Sequence, residues 1–543
     1  MLSFPRLLRV GRTVVRARQS SASPRGVVDG DRLTRWSERL RSGWPQERLL
    51  SRLVVGLEGC TSAFNAMNAV RTCMFLGTAV PPYFLSLTCL EEINCLRPRH
   101  GAGKPEMGAE ASTDLSMALS QVALFGEDSF LHSPASCHLP IVALENYTYR
   151  SESIYACRFP SAARLVVGHE NNGVSEKYLG RIGEGDMRGV DGNCCAERVL
   201  YVPQYGTISS LNVVTSMGIA LFYALLDAHY PLSRTLNANS DGGRRLEGSS
   251  EWEALRAYQC CFQEQLPTTA AHGGLSRVDQ RPIHPLYYKR SITGIVEFHR
   301  HLRELLLRLC SKESSSLSGA RFGLSVLYEN GTDQRSLGGI IRSANAFLVD
   351  QVCYFGRKKI NVVGTIGTQH YTPPVYMGAS YDEVNSADEE TWAAALYQRV
   401  EEANGVPSTW WFFDCGHAFL YADTFEDTTM QGDAGSRQTR SSTASLSWYE
   451  THIRDGSFAL SLCDTEKRLR EAAQGGVVLL VPQEGILPPF HLLQRCKRLL
   501  TLLPSDHFAD ASATAAAGLP VSVAAGIALQ RLGSVMHPQV AAL

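Results

Sequence analysis

The chain has 543 residues, 44% of them apolar and 19% charged, which is enough for more than one sizeable core. A formal net charge of −1 argues against a protein that coats nucleic acid by bulk electrostatics, while leaving room for a local basic face. None of the 15 cysteines falls in a C-x-x-C pair, so the compact zinc and dithiol motifs are missing and reduced, mostly buried thiols are expected, with no metal.

The first stretch, "MLSFPRLLRVGRTVVRARQSSASPRG", holds six arginines and four serines, and the first acidic residue is Asp29. Leu7, Leu8, Val10, Val14 and Val15 mix with Arg9, Arg12 and Arg16 at helical spacing. An Arg-rich, Ser-containing, acid-free leader reads as a transit peptide, so residues 1–28 are expected to direct the chain to the mitochondrial matrix; a basic RNA-binding tail is the other reading. No run reaches the roughly 18 apolar residues of a spanning helix. The nearest, 213–226, is broken by Thr215 and Ser216, so no membrane partner is expected.

Residues 52–77, "RLVVGLEGCTSAFNAMNAVRTCMFLG", read as strand, loop and helix, the helix carrying Asn65 and Arg71. Next, "ARLVVGHENNGVSEKYL" (163–179) is a buried-type strand ending in a turn with Glu170. An insertion, "EGDMRGVDGNCCAER" (184–198), separates it from "VPQYGTISSLNVVTSMGIALF" (202–222), where a polar Ser-Ser-Leu-Asn knot opens an apolar helix. Polar stretches at 237–250 and 311–319 then bracket a predicted helix, 292–310, on which His299 and His301 diverge and so are not a ligand pair.

After this the pattern repeats. Residues 321–347 are again strand, loop and helix, with Ser336 and Arg342 standing six residues apart as Asn65 and Arg71 do. "GVVLLVPQEGILPPFHLL" (476–493) is a strand with Glu484 in the turn, and "GLPVSVAAGIAL" (518–529) restates the third segment with Gly518 for Ser210 and Pro520 for Asn212. A small polar stretch at 428–447 reads as a disordered insertion. Three segments in the same order, twice, indicate a duplication. Alternating strands and helices indicate two α/β domains with mostly parallel sheets and ligand loops at the strand ends. The boundaries are 29–235 for the first copy, 236–320 for a linker and helical segment, and 321–543 for the second copy.

The ordered set Asn-x5-Arg, G-x-E-x-x-G and Ser-Leu-Asn-Val resembles the motifs of the SpoU/TrmH family of RNA ribose 2′-O-methyltransferases, in the SPOUT superfamily. The resemblance covers roughly 50–230 and 320–535. It implies tandem trefoil-knotted α/β domains forming an internal pseudo-dimer, or else pairing with a separate homologous chain. It also implies S-adenosylmethionine as cofactor and RNA as substrate, mitochondrial rRNA before tRNA. Carried onto these positions, Arg71 or Arg342 would engage the 2′-OH and a neighbouring phosphate. Glu170, Ser210 and Asn212 would hold the ribose, and Asn65 would support the arginine. Gly168, His169, Glu170, Gly173, Gln204, Gly206, Ile208 and Leu211 would line the cofactor, the glycines by letting backbone approach the adenosine.

Taken singly, the arginines also suit surface salt bridges, Glu170 a helix cap, and Asn212 an ordinary N-cap. The second copy places Leu487 where the first has Gly173, and Pro520 for Asn212, which would obstruct a backbone-lined pocket. The first copy keeps all five polar positions but carries Met67 where the family prefers a small residue. Two functions follow: methylation of mitochondrial RNA at one site in copy one during ribosome biogenesis, or a catalytically silent RNA-binding assembly factor of the mitochondrial ribosome. Weak basic stretches at 355–374 and 493–500 suit either.

Overall fold

The computed structural model describes residues 49–60, 63–85, 124–133, 136–145, 151–169, 173–179, 196–206, 211–235, 300, 302–308, 310, 321–331, 334–360, 364–381, 388–417, 421, 438–504 and 518–541. The expected leader 1–28 and most of the 184–198 insertion lie outside them.

Seven strands make the first sheet: β1 Leu53–Leu57, β2 Tyr83–Phe84, β3 Leu124–Phe125, β4 Ile141–Leu144, β5 Ser151–Ser153, β6 Ala163–Val167 and β7 Arg198–Tyr201. Seven more make the second: β8 Leu324–Asn330, β9 Gln351–Gly356, β10 Val375–Tyr376, β11 Thr409–Asp414, β12 Ala459–Ser461, β13 Val477–Val481 and β14 Arg498–Thr501. The spatial orders are β3-β2-β1-β6-β4-β7-β5 and β10-β9-β8-β13-β11-β14-β12, the same permutation in each half. Among the described residues every strand pairing is parallel. The central strands β1, β4, β6, β8 and β13 are buried along their whole length, which is why they read as unbroken apolar runs rather than as alternations.

Six long helices are used below: α1 Ala63–Leu76, α2 Val213–His229, α3 Gln334–Ala346, α4 Glu389–Asn404, α5 Gln438–Ile453 and α6 Val521–Met536. Of these α2 and α6 are apolar nearly all round, with 13 and 15 buried residues, and a helix of that kind must be covered on every side. They cover each other across the two halves. A Cβ on Gly218 would stand 2.7 Å from Val523 Cγ1, and one on Gly526 would strike Thr215. The apolar run 213–226 is therefore an interior helix. Among the described residues no helix is long and apolar enough to cross a membrane.

Two sequence expectations need adjusting. Part of the stretch read as disordered, 428–447, belongs to α5. Its Ser445 hydroxyl donates to Pro488 O at 2.9 Å, and buried Trp448 and Tyr449 anchor it, so tertiary packing overrides a Ser/Thr-rich composition. The helix expected at 292–310 is helical over 302–308, with Leu305 and Leu306 buried, while His299 and His301 lie outside the described residues. The nine described cysteines form no disulfide and seven are buried.

Candidate functional site

The C-terminal ends of the central strands carry acids in each half. Leu57 and Leu144 both lie beside Val167, and Tyr328 lies beside Val481. Glu58 and Glu145 directly follow β1 and β4 in the first half, while in the second Glu329 and Asp414 stand at the ends of β8 and β11 and Glu484 in the turn after β13. In a parallel sheet this edge is where ligands are held.

In the first half two of these carboxylates brace the turn after β6. Glu58 accepts from Ser175 N at 2.7 Å and from Ser175 Oγ at 2.6 Å, and Glu145 Oε2 accepts from Val174 N at 2.7 Å. His169 and Gly173 exchange two backbone hydrogen bonds of 2.9 Å each. Gly173 has φ +69°, and the Glu145 carboxylate occupies the space a Cβ would need. The glycine is thus explained by the protein's own packing, where the sequence suggested an approaching adenosine. Glu145 was not singled out from the sequence; its signal was an acid directly after the buried run "IVAL". Glu170 lies outside the described residues, as do Ile208 and Ser210 and the side chain of Met67.

Asn212 does cap α2: its Oδ1 accepts from Val214 N at 2.9 Å and from Thr215 N at 3.4 Å. Its amide also donates to Asn65 Oδ1 at 3.0 Å, tying the first segment to the third and leaving one Nδ2 hydrogen to offer. Leu211 beside it is buried. Gln204 Oε1 is buried with no hydrogen-bond partner among the described residues. Tyr205 N donates to Ala346 O at 2.9 Å, and Gly206 lies so close to Asn345 that any side chain would clash. So the loop leading to the Ser-Ser-Leu-Asn turn is clasped by the end of α3, the helix of Arg342 from the other half.

Arg71 does not join Asn65 and Asn212. The two residues are six apart, which on an α-helix turns them about 120° from one another. Asn65 faces its own half, and Arg71 enters the second. There its fully buried guanidinium pairs with Glu484 and donates Nε to Gly518 O at 2.7 Å. Burial pushes the Arg71 pKa down and Glu484 opposes the shift. Of the two arginines that the sequence left open for the first half's site, Arg71 thus lies with the second half's turns. Arg342 holds the position in α3 that Arg71 holds in α1. The second half differs at the cap, since Pro520 offers no side-chain hydrogen bond to α6.

The residues present suit a polar cofactor in the first half. Gln204 Oε1 and the remaining Asn212 hydrogen are an acceptor and a donor on the segment that follows β7 from the ligand-bearing edge of the sheet. Among the described residues there is no group of three or more His, Cys, Asp or Glu arranged to hold a metal.

An all-parallel α/β protein built of two like sheets, each with acids at its C-terminal edge, is what these observations define. No protein-family model matches the chain, and no curated protein matches it. Solved structures do. A. aeolicus TrmH/SpoU tRNA modifying enzyme is 22% identical over 36% of this chain and 82% of its own, with a TM-score of 0.23. The SpoU methyltransferase AviRb from Streptomyces viridochromogenes is 16% identical over 35% of this chain and 63% of its own, with a TM-score of 0.23. An AdoMet-bound rRNA methyltransferase from Sinorhizobium meliloti is 17% identical over 33% of this chain and 59% of its own, at 0.22. Each match spans about a third of the present chain.

Proposed function

We propose that the chain is an S-adenosylmethionine-dependent RNA 2′-O-ribose methyltransferase of SpoU/TrmH type, a tandem duplicate whose halves act as an internal pseudo-dimer. Mitochondrial RNA, rRNA before tRNA, is the substrate. One site works, in the first half, and the second half completes it.

The observation that supports this reading is the crossing of Arg71 into the second half's motif loops. The two sheets share one strand order, and the same crossing in reverse would carry Arg342 to the first half's loops, whose polar motif is intact in the sequence. The Ala346 and Asn345 contacts with residues 205 and 206 already set the end of α3 there.

When bound, S-adenosylmethionine supplies an electrophilic methyl group. The protein has to orient a ribose hydroxyl and dispose of its proton. A guanidinium is a poor base in water, so Arg342 is assigned to the substrate phosphate and the hydroxyl as an orienter, with proton transfer assisted locally. Glu170, Ser210 and Asn212 fix the ribose, Asn65 holds Asn212, and Gln204 offers its carbonyl to the cofactor's polar groups.

Calorimetric titration of the full chain with S-adenosylmethionine tests the site. About one equivalent should bind per chain, and Asn212→Ala should weaken it roughly tenfold or more, the loss of one or two buried polar contacts. Arg342→Ala should leave binding within about threefold and reduce methyl transfer to RNA by about a hundredfold or more, on the scale of losing one preorganised electrostatic group. Binding unchanged in Asn212→Ala, or transfer unchanged in Arg342→Ala, would remove the first-half site.

A further inference from the structure

The second half has a feature that no motif announced. His417 follows β11 by three residues and is fully buried. Its ring spans the two loops that correspond to the cofactor loops proposed for the first half. Gly485 N donates to Nδ1 at 3.3 Å on the side of the Glu484 turn, and Nε2 lies 2.8 Å from Leu519 O on the side of the α6 entry. Those two bonds fix the tautomer, with Nδ1 the acceptor and Nε2–H the donor. Arg71 Nη2, 3.3 Å from Nε2, is then a flanking contact between two donors.

The neighbourhood is built around this ring. Asp414 Oδ1 accepts from His417 N and Gly416 N, both at 3.0 Å, and Tyr449 OH donates to Asp414 Oδ2 at 2.8 Å. Gly518 has φ +55°, and a Cβ there would run into the imidazole. The exchange of serine for glycine between Ser210 and Gly518 is thus matched to His417: the ring sits where a serine side chain would stand. Counting from the acid after the strand, the first half has Thr148 at the position of His417.

We propose that His417 is a built-in plug, its imidazole filling the heterocycle seat of the second half's former cofactor pocket. An acceptor nitrogen beside an N–H donor is what an adenine edge presents. Here the imidazole offers the same pair to one backbone N–H and one backbone carbonyl. This rests on the reading above of which loops seat the cofactor. It makes the halves unequal by construction, one pocket open and one occupied by the protein itself.

Thermal melts of the full chain and of His417→Gly, with imidazole and with adenine as probes, test it. Both probes should raise the melting temperature of the variant by roughly 1–2 °C at ten times their Kd and leave the native chain unmoved. A folded variant that adenine does not stabilise overturns the proposal, with imidazole confirming that the space is open. Should His417→Gly not fold, binding of S-adenosylhomocysteine to the native chain decides. One equivalent, lost in Asn212→Ala, supports the plug, and two equivalents overturn it. If the native chain binds none while adenine stabilises the variant, the plug stands and the first-half site fails.

Discussion

At the scale of single residues, the second half's interior is a small polar assembly made by both halves: Arg71, Glu484, His417 and Asp414. Burial, and after it the Arg71 charge, hold the His417 pKa down to about 3. An unfolded histidine titrates near 6.5. Between these values the unfolded chain carries a proton the folded chain lacks, so stability rises with pH there. It is complete above about pH 6.5 and falls as the pH drops toward 3, by up to about 1.4 kcal/mol per unit. Subtracting the urea midpoints of His417→Gln from those of the native chain, pH 7.5 to 5, should expose that slope. Parallel profiles would mean that the ring takes up its proton without unfolding. The same assembly predicts that Arg71→Ala is chiefly a stability variant. Removing it takes the buried ion-pair partner from Glu484 and a hydrogen bond from the Gly518 carbonyl, at a cost of about 3–5 kcal/mol. Arg342→Ala should instead lose methyl transfer.

At the scale of elements, α2 and α6 carry the packing between the halves. Gly526 lies where any side chain would meet Thr215, whose branched Cβ gives it little freedom to turn away. Gly526→Val should destabilise the chain by about 1–3 kcal/mol even though it removes a helix glycine, because overpacking outweighs the roughly 0.5 kcal/mol gained in propensity. Guanidinium melts would read it; an unchanged midpoint would mean that the two helices separate easily. This is also the scale at which the sequence was most informative. The repeated strands and helices were legible because buried parallel strands and interior helices leave uninterrupted apolar runs. Helix α5 was not, since Ser and Thr fill its first turns and its anchors, Trp448 and Tyr449, come late. Nor was the division of labour between Asn65 and Arg71. A motif written along a line puts them in one site, whereas the turn of a helix sends them to different halves. His417 left only a faint mark, the histidine of "DCGH" after a buried strand.

At the scale of the whole molecule, the halves are bound by more than one kind of contact. Besides α2 on α6 and Arg71 on Glu484, fully buried Arg531 donates Nη2 to Ser233 O at 2.6 Å and pairs with Glu466. The Ser233 hydroxyl donates to Cys463 O. A lone half would expose the face of α2 or α6 that packs on the other half, a contiguous apolar patch of the kind that drives association, and would leave cross-half hydrogen bonds unmade. Splitting the chain within 236–299 therefore gives a clear expectation. Each half expressed alone should aggregate or self-associate. Co-expressed halves should purify as a one-to-one complex that melts as one unit, and under the proposed function methyl transfer should need both, because Arg342 belongs to the second. Two separately soluble halves with independent melts would show that the interface contributes little. In that case the proposed first-half site would have to be completed by some other arginine, and the unequal pair of pockets would lose its reason to share a chain.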